Sequence, residues 1–298
     1  MNVALSAEEN EGFKSYIRQF EALGLNSDVA TSPVYVSEVE AQKYTTSPKS
    51  KGGIACPFAG QCWPAKFVFG LAELVTSRGA NVQTRTLVKQ VKRHWNPKEQ
   101  LEVVTEGGES RGSIFCQHVV YATNGYTAHL LPELRRTIVP TQGQILVTAP
   151  LQKMAIPGNT WYDYGYLYMI QRPNGQLVLG GCRNKHPKGD TANVDDSKTE
   201  PVVSDALRSF LKNTFPELKD KLDVQHEWTG IMGFTPDSLP MIGRLRGHEW
   251  IAAGYTGYGM PKCFGAGKAV AEMIVGKLKQ EDFVPQYNPS RYWPIAKL

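Results

Sequence analysis

The chain has 298 residues, 41% of them apolar and 20% charged, with a formal net charge of +5. That is an ordinary globular balance, enough for one large or two smaller domains. The positive charge is scattered. The nearest thing to a basic cluster is Leu134-Arg135-Arg136, too little for a nucleic-acid groove. Five cysteines at 56, 62, 116, 182 and 263 have irregular spacing and no histidines at ligand spacing nearby, which argues against a disulfide scaffold or a metal site. Residues 1–10 lack a basic-then-apolar leader, and no run reaches the length of a membrane span. The expectation is a soluble, cytoplasmic protein with no nucleic-acid or membrane partner.

In chain order, Ser6 and Glu9 form a capping-box pair for a helix over 6–25. Phe13, Ile17 and Phe20 recur there at helical spacing, and Gly24 closes the end. Residues 26–60 read as mixed and turn-rich. Pro64 opens a second helix to about Arg78, with Phe67, Leu71, Leu74 and Val75 as its stripe and Gly79 as its stop. The period then changes. Strands are predicted over 81–91, 100–106 and 111–116, with Gly107-Gly108 as a hairpin signal between the last two. A short buried strand follows over 118–123. Strand patterns continue at 139–148, 161–170, 176–182 and 222–228, with a helix at 201–213 among them. Beyond Gly230 the chain is rich in Gly and Pro. An apolar strand at 250–253 feeds a glycine loop and a helix over 262–274 that stops near Gly276. The tail, 281–298, carries Pro285, Pro289 and Pro294 and reads as a surface wrap.

The strongest chemical signal lies in 228–276, where a strand, a loop with Gly254, Gly257 and Gly259, and a helix stand in direct succession. Glycines let a ligand approach the backbone, and a helix start presents free N–H groups with partial positive charge. That arrangement suits an anion; a tight strand-to-helix turn with no ligand fits the same residues. A Walker loop is excluded, because Lys262 and Ala269 occupy its two ends around Gly267-Lys268. A G-x-G-x-x-G turn fails at Val270. Tyr162, Tyr164, Tyr166 and Tyr168 alternate, so one strand face is expected to carry four phenols. They would wall a substrate pocket, or cover an outer sheet face or subunit contact.

Thr235-Pro236-Asp237 with Leu239-Pro240 and Ile242-Gly243, followed by Ala253 to Met260, resembles the closing region of the D-amino-acid-oxidase family of FAD-dependent oxidoreductases. Val120 to Tyr126, Gln171 to Gly175 with Leu177 to Gly181, and Gly79 through Val88 are similar to further segments of that family. The resemblance covers about residues 60–280, in order. It implies an α/β (α+β) fold, with an FAD/NAD(P)-binding Rossmann-like domain from 1–136 and 233–298 and an antiparallel-sheet substrate domain inserted at 137–232. It implies an enzyme that oxidises a C–N bond of an amine or amino acid by hydride transfer to flavin.

The cofactor residues so implied are Val88, Ala122, Thr123, Asn124, Gly125, Asp237, Gly254, Gly257, Tyr258, Gly259 and Met260. The N–H groups of Gly259 and Met260 would face the flavin N1–C2=O edge, and no catalytic triad or metal is required. Met232, Tyr166, Tyr168 and Tyr255 are implied on the substrate side. Two positions depart from the family pattern. Amino-acid oxidases of this type often carry Arg five positions before the Asp, and here Met232 stands there, which cannot pair a carboxylate. Either another Arg serves, or the substrate is an amine without a carboxylate near the reacting carbon. Gly230 stands where covalent members carry Cys, so non-covalent FAD is expected. The family's opening strand, G-x-G-x-x-G turn and helix is not found in these residues. The expectation is an N-terminally truncated member with open apolar faces and strand edges. The alternative is a cofactor-free protein that acts by binding or through a partner.

Overall fold

A computed structural model describes residues 1–26, 32–94, 101–106, 112–151, 158–186 and 191–292. The first half of the chain forms β1 (Asn2–Ala4), α1 (Ala7–Ala22), β2 (Val34–Val36), α2 (Glu38–Thr45), β3 (Gly52–Ala55), α3 (Pro64–Ser77), β4 (Val88–Arg93), β5 (Leu101–Thr105), β6 (Ser113–Cys116), β7 (Val119–Tyr121) and α4 (Thr127–Leu130). The second half forms β8 (Val139–Pro150), β9 (Thr160–Tyr162), β10 (Leu167–Gln171), β11 (Gln176–Gly181), α5 (Pro201–Thr214), β12 (Val224–Phe234), β13 (Met241–Arg246), β14 (Glu249–Ala253) and α6 (Met260–Ile274). This is a mixed α/β architecture, as expected. The chain divides into two compact units, one of 1–62, 142–190 and 195–230, the other of 63–141, 191–194 and 231–298.

In the first unit, eight strands form one sheet in the order β12-β8-β11-β10-β9-β1-β3-β2. Helix α5 covers one face. Its Val203, Leu207 and Leu211, spaced one turn apart, pack with Phe215 against Leu146, Met169, Leu177 and Leu179 of the sheet. Each fully buried leucine contributes about 1.5–3 kcal/mol of transfer free energy. Residues 1–62 belong to this unit, not with 63–136 as the sequence grouping had them. The cause is hydrogen bonding. β1 pairs in parallel with β9 at Asn2–Trp161 and antiparallel with β3, which in turn pairs with β2. Strands of three or four residues carry almost no periodicity, so nothing in the sequence marks them.

The capping box at Ser6 forms: Ser6 Oγ accepts from Glu9 N–H at 3.1 Å, and the Glu9 carboxylate accepts from Ser6 N–H at 3.2 Å. A second one, Ser37 with Glu40, starts α2 inside the stretch read as turn-rich. The four alternating tyrosines do not share a face. β9 ends at Tyr162, and Asp163 and Tyr164 turn the chain through positive φ before β10 begins. In the resulting hairpin Tyr162 stands opposite Leu167, and Trp161 opposite Tyr168. Tyr162 therefore points into the α5 core, 5.0 Å from the Phe210 ring centre, while Tyr168 lies on the other face, 6.0 Å from Trp161. Tyr164 is exposed.

The second unit holds two three-stranded sheets, β13-β14-β7 and β4-β5-β6. β14 is buried on both faces, which is why it reads as an unbroken apolar run. Its Ile251 and Ala253 pack with Leu131, Leu134 and Ile138; its Trp250 and Ala252 pack with Ala266, Ala269 and Val270 of α6. β13 was not expected, because Gly243, Arg244 and Arg246 interrupt its apolar character. The strand expected over 81–91 is β4, which starts only at Val88. The hairpin glycines Gly107 and Gly108 lie outside the described residues, but β5 and β6 pair as anticipated, Leu101 opposite Cys116.

One face of this unit is open among the described residues. β7 pairs in parallel with β14 and forms the sheet edge, with Val120 42% exposed. It is thus not the fully buried strand expected; only Tyr121 is buried. The apolar stripe of α3 meets no core, and none of that helix's residues is buried. Because Phe69 is 66% exposed, Phe69→Glu is expected to change unfolding free energy by less than about 0.5 kcal/mol and to reduce self-association. A large fall in the thermal midpoint would mean that this helix face is covered in solution.

A buried carboxylate ties the second unit together. Glu249, at the start of β14, accepts a fork from Arg93 of β4, a bond from Tyr121 Oη of β7 at 2.7 Å and one from Arg246 Nε of β13 at 3.1 Å. Burial alone would raise its carboxyl, but these donors outweigh burial and hold it below the ordinary 4.5. Its charge therefore stabilises the fold above the unfolded value, and that contribution fades as pH falls through the lower folded value. Glu249→Gln is expected to cost about 3–5 kcal/mol at neutral pH and to flatten the acid limb of the stability curve. Urea denaturation at several pH values between neutrality and pH 4 measures both.

Candidate functional site

The loop between β14 and α6, residues 254–260, contains no proline, so each residue brings a backbone N–H. Four of the seven are consumed within the second unit. The side-chain oxygen of Asn124 accepts from Gly254 N–H at 2.9 Å and from Tyr255 N–H at 3.4 Å. Thr256 N–H donates to the Gly233 carbonyl at 2.8 Å, and Tyr258 N–H to the Tyr255 carbonyl at 2.9 Å. The last bond closes a tight turn with Thr256 at φ 50° and Gly257 at φ 80°, the pair of left-handed centres of a type I′ turn. That leaves the N–H groups of Gly257, Gly259 and Met260 with no acceptor among the described residues. Gly259 is the N-cap of α6 and has no side-chain cap. Gly257 and Met260 are exposed. Three donors without an acceptor among the described residues thus lie at or just before the start of α6, where the positive end of the helix dipole favours negative charge.

The loop is held by two neighbours. One is the 3-10 turn Asn124–Tyr126, in which Asn124 adopts φ 42°, a conformation its short amide tolerates. The other is the end of β12. Their backbones touch: a Cβ on Gly125 would lie 2.7 Å from the Met232 carbonyl oxygen, and one on Gly233 would lie 2.7 Å from Asn124 Oδ1. Thr235 adds a third anchor, its N–H donating to Thr256 Oγ1 at 3.1 Å and its hydroxyl to the Leu239 carbonyl at 2.9 Å. On the outer side of the turn, Met232 Sδ and the Phe234 ring edge come within 3.9 and 3.8 Å of where a Gly257 side chain would begin. The wall there is apolar.

The structure brings most of the sequence-derived cofactor residues into this neighbourhood. Asn124, Gly125, Gly254, Gly257, Tyr258, Gly259 and Met260 form the loop and its support, and Ala122 and Thr123 are exposed just before Asn124. Asp237 is occupied otherwise: it closes a turn onto Leu239 N–H at 3.0 Å and pairs with Arg291 Nε at 2.6 Å. Burial would raise its carboxyl, but the bonds from Arg291 and Leu239 keep it below the usual carboxylate value. Val88 is half-buried at the start of β4, opposite Thr105. On the substrate side, Met232 and Tyr255 border the loop. Tyr255 is buried, with its phenol pushed up by burial and then by Cys263. Tyr166 and Tyr168 belong to the first unit, where the Tyr166 ring lies 4.5 Å from the Arg183 guanidinium. Thr256, Gly233 and Arg291 were missed. Thr256 sits inside the glycine loop without a motif role of its own, and Arg291 carries no local signal at all.

Residues 1–273 match the family described as DAO, FAD dependent oxidoreductase. The chain belongs to this family. The chain is 26% identical to the gamma-glutamylputrescine oxidoreductase of Escherichia coli (strain K12) over 290 residues, which is 94% of this chain and 60% of that protein. Its fold matches L-proline dehydrogenase from P. horikoshii, with a TM-score of 0.77 at 24% identity, covering 98% of this chain and 75% of that one. It also matches glycine oxidase from Geobacillus kaustophilus, with a TM-score of 0.80 at 18% identity, covering 97% and 74%. This DAO-family chain therefore spans about three-fifths of the curated relative's length. Among the described residues, no helix is long and apolar enough to cross a membrane.

The support of the loop makes a direct test. Asn124→Ala leaves two N–H groups of the loop unpaired, at about 1–3 kcal/mol each where they are buried. Asn124→Asp keeps the accepting oxygen. The expected order of thermal stability is wild type, then Asp, then Ala, with the Ala variant alone showing fast amide exchange at 254–255 by mass spectrometry. Equal exchange in all three would remove Asn124 from its supporting role.

Proposed function

We propose that this protein binds FAD non-covalently through the second unit and takes part in oxidation of a C–N bond in a small amine. The observation that carries the reading is the set of N–H groups at Gly257, Gly259 and Met260 that have no acceptor among the described residues, in an exposed turn and at the helix start it feeds. FAD would supply the hydride acceptor. The chain's part is electrostatic. Donors at Gly259 and Met260, fixed in advance by Asn124 and Thr235, would stabilise negative charge on the N1–C2=O edge as hydride arrives at the ring. Ala122 and Thr123 would lie along the cofactor, as the family resemblance implies. The residues present suit the ring portion of the cofactor. In this reading the second unit is the cofactor domain and the first unit the substrate domain.

The wall beside the loop bears on the substrate. Met232 and Phe234 offer a thioether and a ring where a carboxylate would need a cation. The substrate favoured is therefore an amine without a carboxylate at the reacting carbon. Gly230 offers no thiol for a covalent link. The five free cysteines fit a reducing, cytoplasmic location.

Reconstitution tests the reading. The purified protein mixed with FAD is expected to retain a visible flavin spectrum after gel filtration and to be bleached anaerobically by amines in preference to α-amino acids. Met232→Arg is expected to raise the relative rate with an α-amino acid by roughly tenfold, the worth of one charge-assisted hydrogen bond. A protein that stays colourless with excess FAD overturns the cofactor assignment. Bleaching by α-amino acids alone overturns the substrate assignment while leaving the cofactor in place.

A further inference from the structure

Arg291 lies near the end of the described chain, in the 3-10 turn Pro289–Arg291, far in sequence from the loop. Its guanidinium is more heavily committed than a surface arginine's. Nε donates to Asp237 Oδ2 at 2.6 Å; one terminal nitrogen donates to the carbonyls of Leu239 at 2.7 Å and Pro240 at 3.1 Å; the other donates to the Asn288 carbonyl at 3.2 Å. The Tyr292 ring lies 5.0 Å from it. Two backbone carbonyls and one carboxylate of the 235–240 turn are thus gathered on one planar cation. Such a fork fixes direction as well as distance. The turn it gathers is also strained, with Ser238 at φ 61°. From there the connection to the loop is short. Leu239 O accepts from Thr235 Oγ1, Thr235 N–H donates to Thr256 Oγ1, and Thr256 N–H is tied to Gly233 O.

We infer that Arg291 is a positioning residue for the 254–260 loop, acting through the Asp237 turn and the Thr235–Thr256 pair to fix where the free N–H groups of Gly257, Gly259 and Met260 point. Without the fork, Leu239 and Pro240 lose their shared donor and Asp237 loses its counter-charge. The turn then has no reason to keep Thr235 against Thr256, and the loop relaxes toward conformations in which its donors find other acceptors. The tail segment carrying Arg291 contributes no atom to the donor set itself. Its effect on a ligand there is indirect, and for the identity of that ligand the inference rests on the proposed function.

The test compares Arg291→Gln and Asp237→Asn with Arg93→Gln, which breaks a different ion pair in the same unit and controls for general loss of stability. Amide exchange by mass spectrometry on the intact protein, without added flavin, reads the mechanical link. Arg291→Gln is expected to speed exchange at 254–260 by about tenfold or more while the β14 core stays protected; Arg93→Gln is expected to leave the loop unchanged. Asp237→Asn is expected to act in the same direction but less, and the double variant to exceed Arg291→Gln by little, since both act through one path. Arg291→Ala with added ethylguanidinium is expected to regain protection. With FAD, Arg291→Gln is expected to raise the dissociation constant roughly tenfold and to shift the bound flavin's visible band, a signature that mere loss of stability does not move. Unchanged loop exchange in Arg291→Gln overturns the inference outright. A loosened loop with unaltered FAD affinity and spectrum overturns its bearing on the cofactor. Failure of the wild-type protein to take up FAD sinks the proposed function instead, and exchange alone then decides whether Arg291 positions the loop.

Discussion

The decisive constraint in this molecule is how seven consecutive N–H groups are divided. Four of those in 254–260 are satisfied from within, and three, at or just before the start of α6, have no acceptor among the described residues. A buried N–H without a partner is costly, so a fold keeps donors free only where water or a ligand reaches them. The division is enforced from several sides at once. Asn124 takes the first two donors, Gly233 takes the third, and the turn closes on the fifth. The approach of the Asn124 turn to the end of β12, which sets the first three anchors, is one that only glycine at 125 and 233 permits. The scaffold beneath is correspondingly rigid: β14 is buried on both faces, and Glu249 binds three strands to its first residue.

Much of this was legible in the sequence, for identifiable reasons. The unbroken apolar run at 250–253, the three glycines after it and the helix that follows announce a doubly covered strand feeding a helix start, and that is what forms. The helix of α5 declares itself by Val203, Leu207 and Leu211 at one-turn spacing. Asn124 and Gly125 were placed in the site by resemblance, but the reason for them, an amide oxygen capping two loop donors and a backbone contact with Met232, is visible only in three dimensions.

The rest was hidden because the information is not local. β1, β2 and β3 are too short to show a period, and they join the large sheet through β1 alone, whose partner Trp161 lies more than a hundred residues away. The tyrosine series misled because strict alternation is evidence for one strand only if no turn intervenes. Asp163 and Tyr164 accept positive φ, Gly165 follows, and the four rings are dealt to different environments. The helix carrying the Phe67, Leu71, Leu74 and Val75 stripe forms as α3, yet periodicity says which face wants burial, not whether a partner is present to bury it.

The resemblance implies Asp237 in the site, and the structure places it in the turn whose Leu239 carbonyl accepts from Thr235. Its carboxylate is spent on Leu239 N–H and Arg291, so what it contributes is shape. The same logic separates two kinds of residue in such a site. Side chains near the loop are mostly engaged with the protein, while the groups free to meet a ligand are main-chain donors that any residue type except proline would supply. Sequence identity at 254–260 therefore matters chiefly for which φ values it allows, and under the proposed function chemical selectivity falls to the few side chains bordering the loop, Met232 and Phe234 first among them.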